Sequence, residues 1–415
     1  MEKREAGRFL CDFISDKEIP EARLEKLLPV DWDGLVDLAL RFKVGGLFYR
    51  KIKSGNFPTE LIPVNAKNRL RDAYRNFATI NTSLFFDALK ISKSFTDNQL
   101  PVIALKGLAL AKSIYGDIAL RPMSDMDLLV QEEDLVRAGR ILLTLGYKQD
   151  FPDWERTLKV CNHLPGFTNK NGEIIELHWN IVAADSSIKV DLDGLWDRSC
   201  LIKIDNVGVR VFSLEDLFLH LCIHACVHLQ IGLGLIHLCD LAGLIKTSVD
   251  KIDWQIVIER ANRWNGQRCV YLMLLLVKEL LGVAPPDKIL SEIKPDDYQP
   301  VFLDQALEQI FDVSSSSQQT VMRIGQLSKI KEEKGIKGKV LSLLKKVFPS
   351  RENLARMYPV SISSPKIYLC YLSRLGRLIR YFTTVLFRLF RRDPSVIKAA
   401  NQAHRVSAVS DWMFS

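Results

Sequence analysis

The stretch Met123-Ser124-Asp125-Met126-Asp127-Leu128-Leu129-Val130 constrains the fold more than any other part of the chain. Successive side chains of a strand point to opposite faces, so a strand here sets Asp125 and Asp127 on one face and Met126, Leu128 and Val130 on the other. The apolar face requires a core. The acidic face brings two like charges together, which is costly unless a cation lies between them. Hard oxygen ligands of this kind suit Mg²⁺.

The surrounding sequence shows where this strand sits. From residue 1 to about 100 the apolar period is helical: the span from Trp32 to Ile52 and the long run from Ala66 to Phe95 carry few breakers. Between Pro101 and Asn180 the period changes. Val102 to Leu105 reads as a short strand ending at Lys106-Gly107, and Leu108 to Tyr115 reads as the helix after that turn. Glu132 to Leu145 reads as a helix stopped by Gly146. Asn171-Gly172 is a hairpin signal between Gly166-Phe167-Thr168 and Glu173 to Trp179. Helix resumes after Ser213. The expectation is an α+β fold, with a small mixed sheet flanked by large helical regions. Four regions follow: helical 1–100, an α/β core 101–212, helical 213–312, and a linker with a basic helical end over 313–415. Ser314 to Gln319 reads as the linker.

The second acidic strand is Ile174-Ile175-Glu176-Leu177-His178-Trp179. Glu176 and His178 share one face, and Ile175, Leu177 and Trp179 share the other. If the two strands are neighbours, Glu176 completes a triad with Asp125 and Asp127, an arrangement suited to two-metal phosphoryl or nucleotidyl transfer. Lys106 adds a point charge and Arg121 a bidentate fork for phosphate, while backbone N–H groups after Gly107 can face an anion. An Asp-x-Asp pair alone reads as a solvated edge. The turn, Arg121 and the second acidic strand turn it into a candidate site.

These residues carry a resemblance. Leu105-Lys106-Gly107, Arg121, Asp125-x-Asp127-Leu-Leu-Val, Gly146-Tyr147 and Glu176-Leu-His178-Trp179 resemble the DNA polymerase β-like nucleotidyltransferase superfamily, more closely its bacterial branch of stand-alone nucleotidyltransferases. The resemblance implies an enzyme that moves a nucleoside monophosphate from an NTP such as ATP to an acceptor. It assigns triphosphate binding to Gly107 and two Mg²⁺ to Asp125, Asp127 and Glu176. The acceptor is expected to be a small molecule, a sugar phosphate or a peptide-linked group. Where the superfamily turn reads Gly-Ser or Gly-Gly, this chain has Gly107-Leu108. A nucleotide-binding or regulatory module without turnover is therefore one alternative, and a membrane-surface interaction protein acting through Lys366 to Arg392 is another.

Four histidines fall between Leu214 and Ile245, three of them, His220, His224 and His228, at i, i+4 and i+8. Three such positions on one helix span about 12 Å, too far to meet on one ion by themselves, and the Glu of His-Glu-x-x-His is absent. His224, His228 and the later Asp240 also match a pattern in the helical half of the resembled family. A structural hydrogen-bond network comes first, acceptor-side contacts second and metal ligation last, with His178 as a further acceptor-side candidate.

The net charge is +8, and residues 321–415 carry 19 Lys+Arg against 5 Asp+Glu. Lys366 to Arg392 mixes apolar residues with arginines, which suits packing on the body, an anionic membrane surface, or an acidic partner. No nucleic-acid reading motif is present, so sequence-specific nucleic-acid binding is not expected. The eight cysteines form no CxxC pair, and Met1 to Glu5 runs into charge without the apolar stretch of a secretory signal. The expected location is cytoplasmic, with room for peripheral contact at the inner membrane face.

Overall fold

A computed structural model of the chain describes residues 2–15, 17–54, 58–149, 162–183, 185–204, 207–229, 234–312, 347–349, 351, 354, 364–390 and 407–415. The chain forms two compact units, Met1–Asp312 with Trp412–Ser415, and Val313–Asp411.

In the first unit, six strands build one mixed sheet: β1 (Ile103–Ala104), β2 (Asp125–Leu129), β3 (Phe167–Thr168), β4 (Ile174–His178), β5 (Cys200–Ile204) and β6 (Val207–Val211). Their order is β3-β4-β2-β1-β6-β5. The two acidic strands are adjacent and parallel, with Asp127 opposite Glu176 and Leu129 opposite His178. The β5–β6 hairpin went unread in the sequence, yet it extends the sheet by pairing β6 parallel to β1.

One face of the sheet packs on the 34-residue helix Val64–Asp97. Its Leu84, Ala88, Ile91 and Phe95 join Met126, Leu128, Val130, Ile175 and Leu177 in one apolar cluster. Burying each large aliphatic side chain contributes about 1.5–3 kcal/mol, which fixes the strand register and so turns the acidic residues to the opposite face. Gly172 adopts φ +83° in the β3–β4 turn, a left-handed conformation that glycine takes without strain. On the acidic side lie two further helices, Leu214–Leu229 and Leu235–Ser248.

Two local expectations are corrected. The helical pattern from Trp32 to Ile52 is two helices, Pro29–Arg41 and Gly45–Lys53, broken at Lys43 with φ +60°. A Cβ on Gly46 would meet the Ala119 carbonyl oxygen at 2.6 Å, so the second helix approaches more closely than a side chain would allow. The helix read over Leu108 to Tyr115 is one α-turn, Gly107–Leu110, followed by a π-turn, Ala111–Tyr115. Ile114 of that π-turn packs directly over Gly243, where a Cβ would lie 2.3 Å away.

In the second unit the described helix is Ile367–Phe390, whose Ile367 and Cys370 are buried with Leu354 and packed by Tyr371. The Ser314 to Gln319 linker, and Arg391 and Arg392 of the basic segment, lie outside the described residues. Among the described residues no helix is long and apolar enough to cross a membrane.

Candidate active site

The acidic face of β2 forms the floor of a cleft of about 230 Å³, with the acidic face of β4 beside it. Asp125, Asp127, Lys106 and Gly107 line it on one side and His224, His228 and His237 on the other, with Arg41, Lys43 and Arg121 adding positive charge. Asp127 is the hub. Its carboxylate accepts from Lys106 Nζ at 2.7 Å and pairs with His178 Nε2 at 3.1 Å, while His178 also lies 3.5 Å from Glu176 Oε2. Ligand atoms of Asp127, Glu176 and His178 all lie within 4.8 Å of one another.

Asp125 stands outside that tight group. It faces the same cleft and accepts from the Ser124 hydroxyl at 3.2 Å. The expected triad is thus drawn as three convergent groups, Asp127, Glu176 and His178, with Asp125 beside them. Carboxylates of this kind fit a hard divalent cation, and here Lys106 and a protonated His178 supply positive charge beside them.

Electrostatics separate the two aspartates. Burial opposes ionisation of Asp127, but hydrogen bonding from His178 and the charge of Lys106 outweigh it and hold the carboxyl well below the usual range. Burial and then the Asp127 charge push Asp125 up. The His178 contact holds Glu176 down against its burial. Burial would lower His178, yet the two carboxylates raise it, so its imidazolium is favoured between them.

The remaining predicted residues are placed as follows. Lys106 Nζ bridges Asp127 and His224 Nε2, each at 2.7 Å. Arg121 directs Nε and Nη2 at Asp240, at 3.0 and 2.9 Å. Its Nη1 lies 3.5 Å from where a Gly107 Cβ would be. Asp240, expected on the acceptor side, is fully buried and also accepts from the Tyr115 hydroxyl at 2.7 Å, so it holds the wall of the cleft without lining it. His224 and His228 do line the cleft.

Several contributors escaped sequence reasoning. Asn81, buried on the long helix, donates to the Ile118 and Arg121 carbonyls and accepts from Met123 N–H, fixing the approach to β2. Arg41 and Lys43 reach the cleft because the Phe42 carbonyl accepts from Ile236 N–H at 3.3 Å, tying the break between two N-terminal helices to the start of Leu235–Ser248. His163 Nδ1 lies 3.7 Å from Glu176. His237 sits one helix away from the ladder and stacks on His228, with rings 4.8 Å apart and 22° between their planes.

His220 lies below the cleft, edge-on to Phe212, and neither ring nitrogen has a partner among the described residues. Burial first, then the Lys106 charge, pushes it down to about 3. The folded chain thus holds it neutral where the unfolded chain, near 6.5, takes up a proton, so stability is full above 6.5 and falls as pH drops toward 3. Between pH 7 and 4.5 the His220→Phe variant should lose roughly 2–3 kcal/mol less stability than the wild type, at about 1.36 kcal/mol per pH unit. Urea unfolding at the two pH values measures this. Equal losses in both proteins would contradict a neutral buried imidazole.

Two neighbouring strands that bear carboxylates, one of them lining a cationic cleft, suit phosphoryl or nucleotidyl transfer. Residues 29–282 match a family described as uncharacterised nucleotidyltransferases, and the chain belongs to that family. It is therefore a transferase of phosphorus-containing groups, and the matched span contains every cleft residue named above. No curated protein and no solved structure matches the chain.

Proposed function

We propose that the protein is a Mg²⁺-dependent nucleotidyltransferase that moves a nucleoside monophosphate from an NTP, ATP among them, to a small-molecule, sugar-phosphate or peptide-linked acceptor. The observation that carries this reading is the parallel register of β2 and β4, which sets Glu176 opposite Asp127, itself on the floor of a cationic cleft. Asp125, Asp127 and Glu176 would hold the metal, two ions in the superfamily pattern. Bound there, Mg²⁺ supplies stabilisation of negative charge on the phosphoryl and leaving oxygens.

The chain's own groups do the rest. Lys43, Arg41 and Lys106 attract the polyphosphate, and Arg121 Nη1 faces the space beside Gly107. His178 keeps a proton at Nε2 between Asp127 and Glu176 and so fixes both carboxylates. In the reaction an acceptor oxygen bonds to the α-phosphorus as the bond to the bridging oxygen breaks and pyrophosphate leaves. His224 and His228 lie on the side of the cleft open to the acceptor.

One observation favours the turnover-free alternative. Lys106 already neutralises Asp127, in a turn that lacks the small residue after Gly107. Incubation with labelled NTPs, Mg²⁺ and fractionated metabolites separates the two readings. Transfer requires a labelled acceptor and an equal yield of pyrophosphate; NTP binding without pyrophosphate would establish the regulatory module instead. The helix Ile367–Phe390 supports peripheral contact with anionic lipid or an acidic partner, since exposed Tyr368, Leu369 and Leu372 lie in a segment with arginines and no acidic residue. Such contact fits a cytoplasmic protein at the inner membrane face.

A further inference from the structure

We propose that His224, His228 and His237 form a second metal site, for a borderline transition cation of the Zn²⁺ type, in the wall of the cleft opposite the carboxylates. The inference goes beyond nucleotidyl transfer and stands without it. Ligand atoms of the three imidazoles all lie within 4.8 Å of one another. The His224 and His228 Nε2 atoms are 3.1 Å apart. Two nitrogens at 2.0–2.1 Å from a tetrahedral ion lie about 3.4 Å apart, so this pair already has nearly the required bite. His237 closes on it by a small movement of its ring.

The helical ladder could not form this site alone. Its third member, His220, is buried under the cleft and is not in the convergent group. His237 takes the third place because the helix Leu235–Ser248 packs against the helix Leu214–Leu229 and stacks its imidazole on His228. A set of three imidazoles differs in kind from the carboxylate floor: nitrogen donors favour Zn²⁺, Ni²⁺ or Cu²⁺, whereas carboxylates favour Mg²⁺ or Mn²⁺. Three protein ligands leave the fourth position of a tetrahedral ion open, and here that position faces the cleft.

Lys106 connects the two sites. Its ammonium now donates to His224 Nε2 at 2.7 Å, the lone pair a metal would use, and it also pairs with Asp127 at 2.7 Å. An ion at the histidines displaces the ammonium toward Asp127, where it keeps a partner. Beyond this and the closure of the His237 ring, no further rearrangement is needed.

The test is a Co²⁺ titration of the full chain stripped of metal by chelator, read by visible absorption and by competition with Zn²⁺. The expected result is one equivalent of Co²⁺ per chain with the strong d–d bands of four- or five-coordinate cobalt, displaced by Zn²⁺. His237→Ala and, as a milder change, His237→Gln should each weaken Co²⁺ binding at least about a hundredfold, since losing even a group behind a ligand costs 10–100-fold. Asp127→Asn should keep the bands. Absence of bands in the wild type overturns the proposal. So do bands that persist in both His237 variants, or bands lost in Asp127→Asn but kept in His237→Gln.

Discussion

Replacing Asp127 with asparagine should lower pyrophosphate release by on the order of 10³-fold or more while leaving the fold intact. Asparagine keeps the shape of the side chain and can still accept from His178 or Lys106. What it removes is the negative charge at the point where Lys106, His178 and Glu176 converge. Without that charge Lys106 loses its anionic partner and His178 one of the two carboxylates that raise it, and affinity for a divalent cation falls. Circular dichroism and urea unfolding should show a native protein, because Asp127 lies on the face of β2 opposite the apolar cluster. Wild-type turnover in this variant would remove Asp127 from the chemistry.

The second large effect is on stability. Asp240→Ala should cost about 3–5 kcal/mol, the range for removing one partner of a buried ion pair. Asp240 is fully buried, and Arg121 is 7% exposed, so the guanidinium left behind has little access to water. The Tyr115 hydroxyl loses its acceptor as well. The pair spans 119 residues of sequence and joins the approach to β2 to the helix Leu235–Ser248, so its loss should also loosen the wall that carries His237. The double variant Arg121→Met with Asp240→Leu should recover part of the loss, since it leaves no unpaired charge. Urea unfolding of the three proteins measures this, and a single-variant cost below about 1 kcal/mol would mean the pair is not desolvated as the structure has it.

The parts of the site written in local periodicity were legible in the sequence. Alternation along β2 and β4 sets the acidic and apolar faces without reference to anything distant, and Asn171-Gly172 announces the turn that leads into β4. What was not legible depends on tertiary packing. Arg41 and Lys43 reach the cleft only because a left-handed residue breaks a continuous helical pattern and the Phe42 carbonyl meets Ile236. His237 belongs with His224 and His228 only once two helices pack side by side, and no single-helix spacing contains it. Asp240 follows the histidines in a pattern of the resembled family that leaves acceptor contact and a structural network both open. It became a buried anchor because Arg121, a candidate phosphate ligand, turns most of its fork toward it. The π-turn at Ala111–Tyr115 has no sequence signature beyond the general helical pattern.

The most direct measurement is the anomalous scattering of Mn²⁺ in crystals grown with a non-hydrolysable NTP. The expected map has a peak within coordination distance of Asp127 and Glu176 carboxylate oxygens, and the phosphates turned toward Lys106 and Lys43. A nucleotide bound elsewhere, or bound in the cleft with no peak at those carboxylates, would contradict the site.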